Sequence, residues 1–118
     1  MRIVLAIGVS DLRLAVELLL GEEPGVAVVG SASDTQGLLA LIGSIRPDTA
    51  LVDYDLPDKP IADVLGEIKS DEQAPKIIVL GKDAAQRDAA LTSGADAYVL
   101  KGDPPEQLLA SIRQHEVH

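Results

Sequence analysis

The chain has 118 residues, no cysteine and a formal net charge of −9 at pH 7. This length suits one domain with a single core, and the missing cysteines exclude disulfides and thiolate metal sites and fit a reducing cytoplasm. The acidic charge argues against direct binding to nucleic acid or to an anionic membrane surface, and we expect neither a signal peptide nor a membrane-spanning segment.

Five short apolar runs rich in Val, Ile and Leu recur at similar intervals and predict β-strands. They span residues 2–7, 26–31, 49–53, 76–80 and 97–100. Because these runs are almost continuously apolar, we expect strands that are covered on both faces, as in a parallel sheet.

Segments with helical periodicity follow the five strands. They span residues 10–21, 33–47, 61–70, 83–94 and 103–114. Two of them carry a clear apolar stripe, formed by Leu12, Val16, Leu19 and Leu20 in the first and by Ile61, Val64, Leu65 and Ile68 in the third. Such stripes are typical of helices that pack one face on a sheet.

Polar residues and prolines mark several helix ends. The predicted N-caps are Ser33, Asp83 and Asp103, with Gln36, Gln86 and Glu106 three residues later. Pro104 is expected at the first helical position of the last helix. Pro47 and Gly94 are expected to stop the second and fourth helices. The alternation therefore predicts a doubly wound (βα)₅ α/β fold in one domain, residues 1–118, with right-handed crossovers.

Function in such a sheet is expected beyond the carboxyl ends of the strands. The residues at those ends are Ile7 and Gly8, then Asp53 and Asp55, then Gly81 and Lys82, and finally Lys101, Gly102 and Asp103. A buried strand that ends in the carboxylate of Asp53 is therefore a candidate for a site.

Three stretches make the sequence resemble the receiver domains of bacterial two-component response regulators of the NarL/LuxR type. They are "LVDYDLP" around Asp53, "GADAYVLK" leading to Lys101, and "EEPGVAVVGSASD" between the first two βα units. The resemblance covers essentially the whole chain. It implies a flavodoxin-like fold with strand order 2-1-3-4-5, a phosphoacceptor position at Asp53, a phosphate-pairing lysine at Lys101 and a reorienting aromatic side chain at Tyr98.

Two parts of the family pattern are missing. Ile7 and Gly8 stand where the family has two acids that help to hold Mg²⁺, and Gly81 stands where it has Ser or Thr. Mg²⁺ prefers oxygen ligands in octahedral geometry, and only Asp53 and Asp55 remain as candidates. We therefore expect weak or absent Mg²⁺ binding, no other cofactor, and phosphoryl transfer slowed by orders of magnitude.

The same departures lead to two structural predictions. Without the acidic pair, Lys101 should form a direct ion pair with Asp53. With Gly81 in place of a hydroxyl residue, Tyr98 should be positioned by packing alone, and its hydroxyl needs a hydrogen-bond partner if it is buried.

Other polar residues near the site have ordinary explanations. Asp11 follows the first strand closely, but we expect it to stabilise the first turn of its helix rather than replace the missing acids. Asp55 and Asp58 can be solvated loop residues, and Lys82 is expected to be exposed. The two histidines, His115 and His118, lie too close to the chain end to count as ligands.

Three interpretations remain open at this point. The leading one is a non-enzymatic, atypical receiver: a signalling and interaction module that controls dimerisation or an attached transcriptional output domain. Its expected partners are a second copy, other proteins and a sensor histidine kinase, with DNA reached only through a domain outside this sequence. By resemblance, the first and fifth helices, or the face made by the fourth helix, fifth strand and fifth helix, are the candidate surfaces.

The second interpretation is a conventional phosphoacceptor that uses Asp53 despite the missing residues. The third is a receptor for a small organic ligand, bound in a strand-end crevice lined by Ile7, Gly8 and Gly81. An enzyme is the weakest alternative, because the sequence has no Gly-rich phosphate loop, no Ser-His-Asp set and no metal-ligand cluster.

Overall fold

A computed structural model of the chain describes residues 1–114 and contains five strands that alternate with five helices. The strands are β1 (Arg2–Ala6), β2 (Ala27–Ala32), β3 (Thr49–Asp53), β4 (Lys76–Gly81) and β5 (Ala97–Leu100). The helices are α1 (Ser10–Gly21), α2 (Thr35–Ile45), α3 (Ile61–Lys69), α4 (Ala84–Thr92) and α5 (Pro105–Gln114). The predicted order of elements is confirmed. The two histidines discussed above, His115 and His118, lie outside the described residues.

The five strands form one parallel sheet in the order β2-β1-β3-β4-β5. From β1 the chain adds β2 on one side of the sheet, and from β3 it adds β4 and β5 on the other side. The direction in which strands are added therefore reverses between β1 and β3. In an open α/β sheet, that reversal leaves a crevice beyond the carboxyl ends of the strands. The predicted fold class and strand order are both confirmed.

Alternating residues of the strands bury two separate cores, one on each face of the sheet. One face packs against α2, α3 and α4, and it includes all four predicted stripe residues of α3. The other face packs against α1 and α5, where Val16 and Leu20 are buried and Leu12 and Leu19 are partly buried. The strands are continuously apolar because both of their faces are covered.

The start of α2 differs from the prediction. Asp34, not Ser33, is the N-cap: its backbone is extended and its carboxylate accepts a hydrogen bond from the N–H of Gly37 at 2.7 Å. Two adjacent residues with capping side chains compete here, and the spacing from Asp34 to Gly37 is the one that matches the helix. The helix then ends at Ile45, and Arg46 adopts a left-handed conformation (φ 55°) before Pro47.

The ends of α4 agree with the prediction. The carboxylate of Asp83 accepts a hydrogen bond from the N–H of Gln86 at 2.9 Å. Gly94 has a φ of 114°, and the N–H of Ala95 reaches back to the carbonyl of Ala90 at 3.0 Å. This is the Schellman arrangement, which glycine favours because it has no side chain to oppose a positive φ.

The last helix begins one residue later than predicted. Its first residue is Pro105, so Pro104 precedes the helix and Asp103 lies two positions before its start. A proline is compatible with the first helical position, and the two adjacent prolines made both registers possible from sequence. None of the helices in the described residues combines the length and the apolar composition that a bilayer crossing requires.

Candidate functional site

Asp53 is held inside the carboxyl edge of the sheet. It is the last residue of β3, which lies between β1 and β4 and is buried along its whole length. Only 1% of Asp53 is exposed, and its Cα lies opposite Leu80 of β4. A carboxylate in this position needs a partner, because burying an unpaired charge is costly.

That partner is Lys101, which follows β5. The backbone N–H of Lys101 donates to the carbonyl of Gly81 at 2.8 Å and so fixes where the side chain begins. Its ammonium lies 2.8 Å from Oδ1 of Asp53, so the predicted ion pair is present. The same ammonium lies 3.6 Å from Oδ2 of Asp55, which gives Lys101 a second acidic neighbour that the sequence did not predict.

Asp55 connects this pair to the start of α4. Its backbone N–H donates to Oδ1 of Asp53 at 3.0 Å, and its own Oδ1 accepts from the side-chain amide of Gln86 at 3.0 Å. The amide oxygen of Gln86 in turn accepts from the backbone N–H of Lys82 at 2.9 Å. Asp55 is therefore not a free loop residue.

Gln86 is a site residue that sequence reasoning missed. Its place three residues after the Asp83 N-cap suggested only a helix-capping role. Gln86 is buried, and a buried amide that satisfies both its oxygen and its nitrogen orders the two loops that it joins. The useful signal was its position in the first turn of the helix that follows the fourth strand, at the functional edge of the sheet.

Ile7 and Gly8 lie beside Asp53 but offer it no polar side chain. Ala6 pairs with Val52 on the neighbouring strand, so the next residue, Ile7, lies at the same level as Asp53. Ile7 is completely buried in the core on the α1 and α5 side. Gly8 is exposed, and a side-chain carbon there would have no heavy atom closer than 3.6 Å.

Arg13 of α1 is a second residue that the sequence reasoning did not single out. Its guanidinium donates to the backbone carbonyl of Ile7 at 2.9 Å. The segment that in the family supplies two negative charges thus carries none here, and a positive charge is bonded to it.

The side chains at this edge do not fit Mg²⁺, which needs near-octahedral oxygen coordination. The carboxylates of Asp53 and Asp55 already bond to Lys101, to a backbone N–H and to Gln86. Within residues 1–114, no group of three His, Cys, Asp or Glu side chains is arranged to hold a metal ion.

Tyr98 and Gly81 meet at the ends of β4 and β5. The Tyr98 hydroxyl donates to the carbonyl of Asp83 at 2.8 Å, which supplies the partner that the sequence required. Burial raises the pKa of Tyr98 above its ordinary value, against the opposing effect of the Asp83 hydrogen bond. The ring covers Gly81, which is one of the three residues predicted to line a small-ligand crevice.

Asp58 ties the β3–α3 loop to the start of α2. Its carboxylate oxygens accept from the backbone N–H groups of Thr35 at 2.8 Å and Gln36 at 3.2 Å. The hydrogen bond from Thr35 in particular lowers the pKa of Asp58. Asp58 is therefore not a free loop residue, whereas Asp11 is exposed in the first turn of α1 and Lys82 is exposed, both as expected.

Comparison with known proteins identifies the family of this chain. The response regulator receiver domain family matches residues 9–113. The chain is 32% identical to the nitrate/nitrite response regulator protein NarL of Escherichia coli (strain K12) over 105 residues, which is 87% of this chain and 49% of that protein. It is 35% identical to the DNA-binding response regulator MtrA of Mycobacterium tuberculosis (strain CDC 1551 / Oshkosh) over 97 residues, 81% of this chain and 41% of that protein.

The fold also matches a solved receiver domain closely. The signal receiver domain of a NarL response regulator from Mycobacterium tuberculosis superimposes with a TM-score of 0.88 at 28% identity, covering 96% of this chain and 93% of that one. By contrast, the chain spans at most about half the length of the two curated relatives described above.

Proposed function

This chain belongs to the response regulator receiver domain family of two-component signalling, and we propose that it is an atypical member that works without conventional Mg²⁺-dependent phosphorylation. The observation that supports this proposal is the direct contact between Lys101 and Asp53, beside a first strand that ends in Ile7 and Gly8. Gly81, which stands where the family has Ser or Thr, also has no hydroxyl.

The physical reason is charge. A phosphoryl donor brings negative charge towards a carboxylate, and transfer depends on positioning and on neutralising that charge. Lys101 supplies a single positive charge here, and Asp53 already neutralises it. Without a divalent cation, the approach of the donor to Asp53 is opposed and transfer is slow.

The proposed role is that of an interaction module that is not an enzyme. Residues 1–118 would form one receiver domain that associates with a second copy, responds to other proteins including a sensor histidine kinase, and acts in the cytoplasm. Any contact with DNA would come from an output domain outside this sequence. The relatives' names include a DNA-binding response regulator, and the acidic charge of this chain supports the same division of roles.

Exposed leucines favour one surface for self-association. A groove of about 390 Å³ lies between α1, α5 and the end of β5, and its lining is mostly apolar. Leu18 and Leu100 line it and are 65% and 38% exposed, and Leu14, on the same helix as Leu18, is 57% exposed. Burying such side chains between two copies would remove apolar surface from water.

The proposal is tested by incubating the protein with acetyl phosphate and Mg²⁺ and measuring its intact mass. We expect no stoichiometric phosphoryl adduct on the wild-type protein. The matched control restores the missing acids with Ile7→Asp and Gly8→Asp, which should increase the adduct and its Mg²⁺ dependence. A full adduct on the wild-type protein that disappears in Asp53→Asn would instead establish the conventional phosphoacceptor.

A further inference from the structure

The ring of Tyr98 occupies the volume that any side chain at position 81 would need. Gly81 is the last residue of β4, and Tyr98 lies one strand away on β5. An ideal Cβ placed on Gly81 would lie 2.6 Å from both Cε2 and Cζ of Tyr98 and closer still to the hydroxyl oxygen. Non-bonded carbon atoms pack at about 3.5–4.0 Å, so a methyl group at 81 and this position of the ring exclude each other.

The hydroxyl end of the ring is fixed as well. It donates to the carbonyl of Asp83 at 2.8 Å. That acceptor belongs to a segment held in two other ways, because the Asp83 carboxylate caps α4 and Gln86 bonds both to Lys82 and to Asp55. The ring therefore lies between a glycine that makes room for it and a hydrogen-bond acceptor that cannot easily move.

We infer that Gly81 provides the space in which the Tyr98 ring packs, and we call this space the seat. The seat fixes the ring and the start of α4 in one conformation without any phosphoryl group on Asp53. The seat is a consequence of the residue type at 81, since glycine leaves open the space over which the ring lies. The surface formed by the start of α4 and by β5 then has a single shape, available to a partner at all times.

This inference goes beyond the proposed function and can fail separately from it. The proposed function concerns whether Asp53 accepts a phosphoryl group. The seat concerns where the Tyr98 ring lies when no phosphoryl donor is present. The experiments below contain neither Mg²⁺ nor a donor, so their result does not depend on the phosphorylation assay.

The first experiment locates the ring by NMR at neutral pH. Tyr54→Phe leaves Tyr98 as the single tyrosine, since the chain has two tyrosines, no Trp and no Phe of its own. In this variant, without Mg²⁺ or a phosphoryl donor, we expect nuclear Overhauser contacts between the Tyr98 ring protons and the Hα protons of Gly81. Absence of these contacts in the well-folded protein would overturn the inference.

The second experiment is a double-mutant cycle read by urea denaturation. Gly81→Ala should lower the denaturation midpoint when Tyr98 is present, because the added methyl group displaces the ring. In a Tyr98→Ala background the same substitution should cause no loss, because the seat is empty. An equal loss in both backgrounds would show that Gly81 matters for another reason and would overturn the seat.

A matched control separates the seat from a general effect of replacing glycine. Gly66→Ala adds the same methyl group on α3, where no heavy atom lies within 4 Å. Its midpoint should not fall in either background. If Gly81→Ala alone does not fold, the double variant with Tyr98→Ala decides: recovery of folding supports the seat, and failure to recover overturns it.

Discussion

The ammonium of Lys101 lies 2.8 Å from Oδ1 of Asp53, a side chain that is almost completely buried at the carboxyl edge of the sheet. This contact connects the ends of β3 and β5 across the intervening β4. Asp55 and Gln86 extend it to the start of α4. At this edge of the sheet, the four side chains thus form one connected set of polar contacts.

Removing the lysine from this pair should destabilise the fold. Lys101→Met leaves the buried Asp53 carboxylate without its cation, and we expect a loss of about 3 kcal/mol in the free energy of unfolding, the lower end for a broken buried pair because Lys101 is partly exposed. Urea denaturation measures the loss. Adding Asp53→Asn should recover part of it, because the unpaired charge is removed.

The control for that experiment is Lys82→Met. Lys82 is an exposed lysine near the same edge of the sheet, and its substitution should change the free energy of unfolding by no more than about 0.5 kcal/mol. Equal losses for the two lysine variants would show that the Asp53 contact contributes nothing specific.

The identity of the α2 N-cap can be tested with two neighbouring substitutions. Asp34→Ala removes the acceptor for the N–H of Gly37 and should cost about 1 kcal/mol of stability. Ser33→Ala should cost much less, since Ser33 is exposed and precedes the cap. Thermal or urea denaturation of both variants provides the comparison, and the reverse ranking would restore the cap predicted from sequence.

Asp96 should contribute stability that is lost in acid. It accepts hydrogen bonds from the Lys69 ammonium at 2.5 Å and from the N–H of Ile77 at 2.8 Å. Partial burial raises its pKa, but these two donors outweigh burial and hold the pKa below the ordinary 3.8. A carboxylate with a lowered folded-state pKa stabilises the fold above its unfolded pKa, and that contribution disappears as the pH falls through the folded-state value.

The corresponding variant is Asp96→Asn. We expect it to be less stable than the wild-type protein by about 1 kcal/mol at neutral pH, a figure reduced for the partial exposure of the ion pair. The difference should shrink below pH 3.8. Urea denaturation across the acid range measures it, with Asp88→Asn on the exposed face of α4 as a control. A difference that does not change with pH would contradict the assigned linkage.

Self-association through the α1–α5 groove predicts an asymmetry between two exposed leucines. Leu18→Glu places a charge at the groove and should shift the protein from dimer to monomer in sedimentation equilibrium. Leu91→Glu, on α4, changes a leucine that is 39% exposed on a different helix and should leave the dimer intact. Dissociation by Leu91→Glu alone would instead assign the interface to the α4 side.

The sequence by itself determined the order of elements, the parallel sheet and the edge where the site lies. Continuous apolar runs specify strands covered on both sides, and a single polar residue at the end of such a run can be recognised in the linear sequence. The pairing of Asp53 with Lys101 also followed from the sequence, because the resemblance placed both residues at that edge while Ile7 and Gly8 offered no competing charge.

Only the tertiary structure decided how the loops beyond those strands connect to one another. The roles of Gln86, Asp58 and Arg13 depend on contacts between segments distant in sequence, and short polar side chains have no periodic pattern that reveals such partners. The packing of the Tyr98 ring over Gly81 is also decided by tertiary structure, because it depends on how much space residue 81 of β4 leaves for a side chain of β5. Local patterns reflect which residues are buried, whereas excluded volume and hydrogen-bond geometry are set when the strands come together.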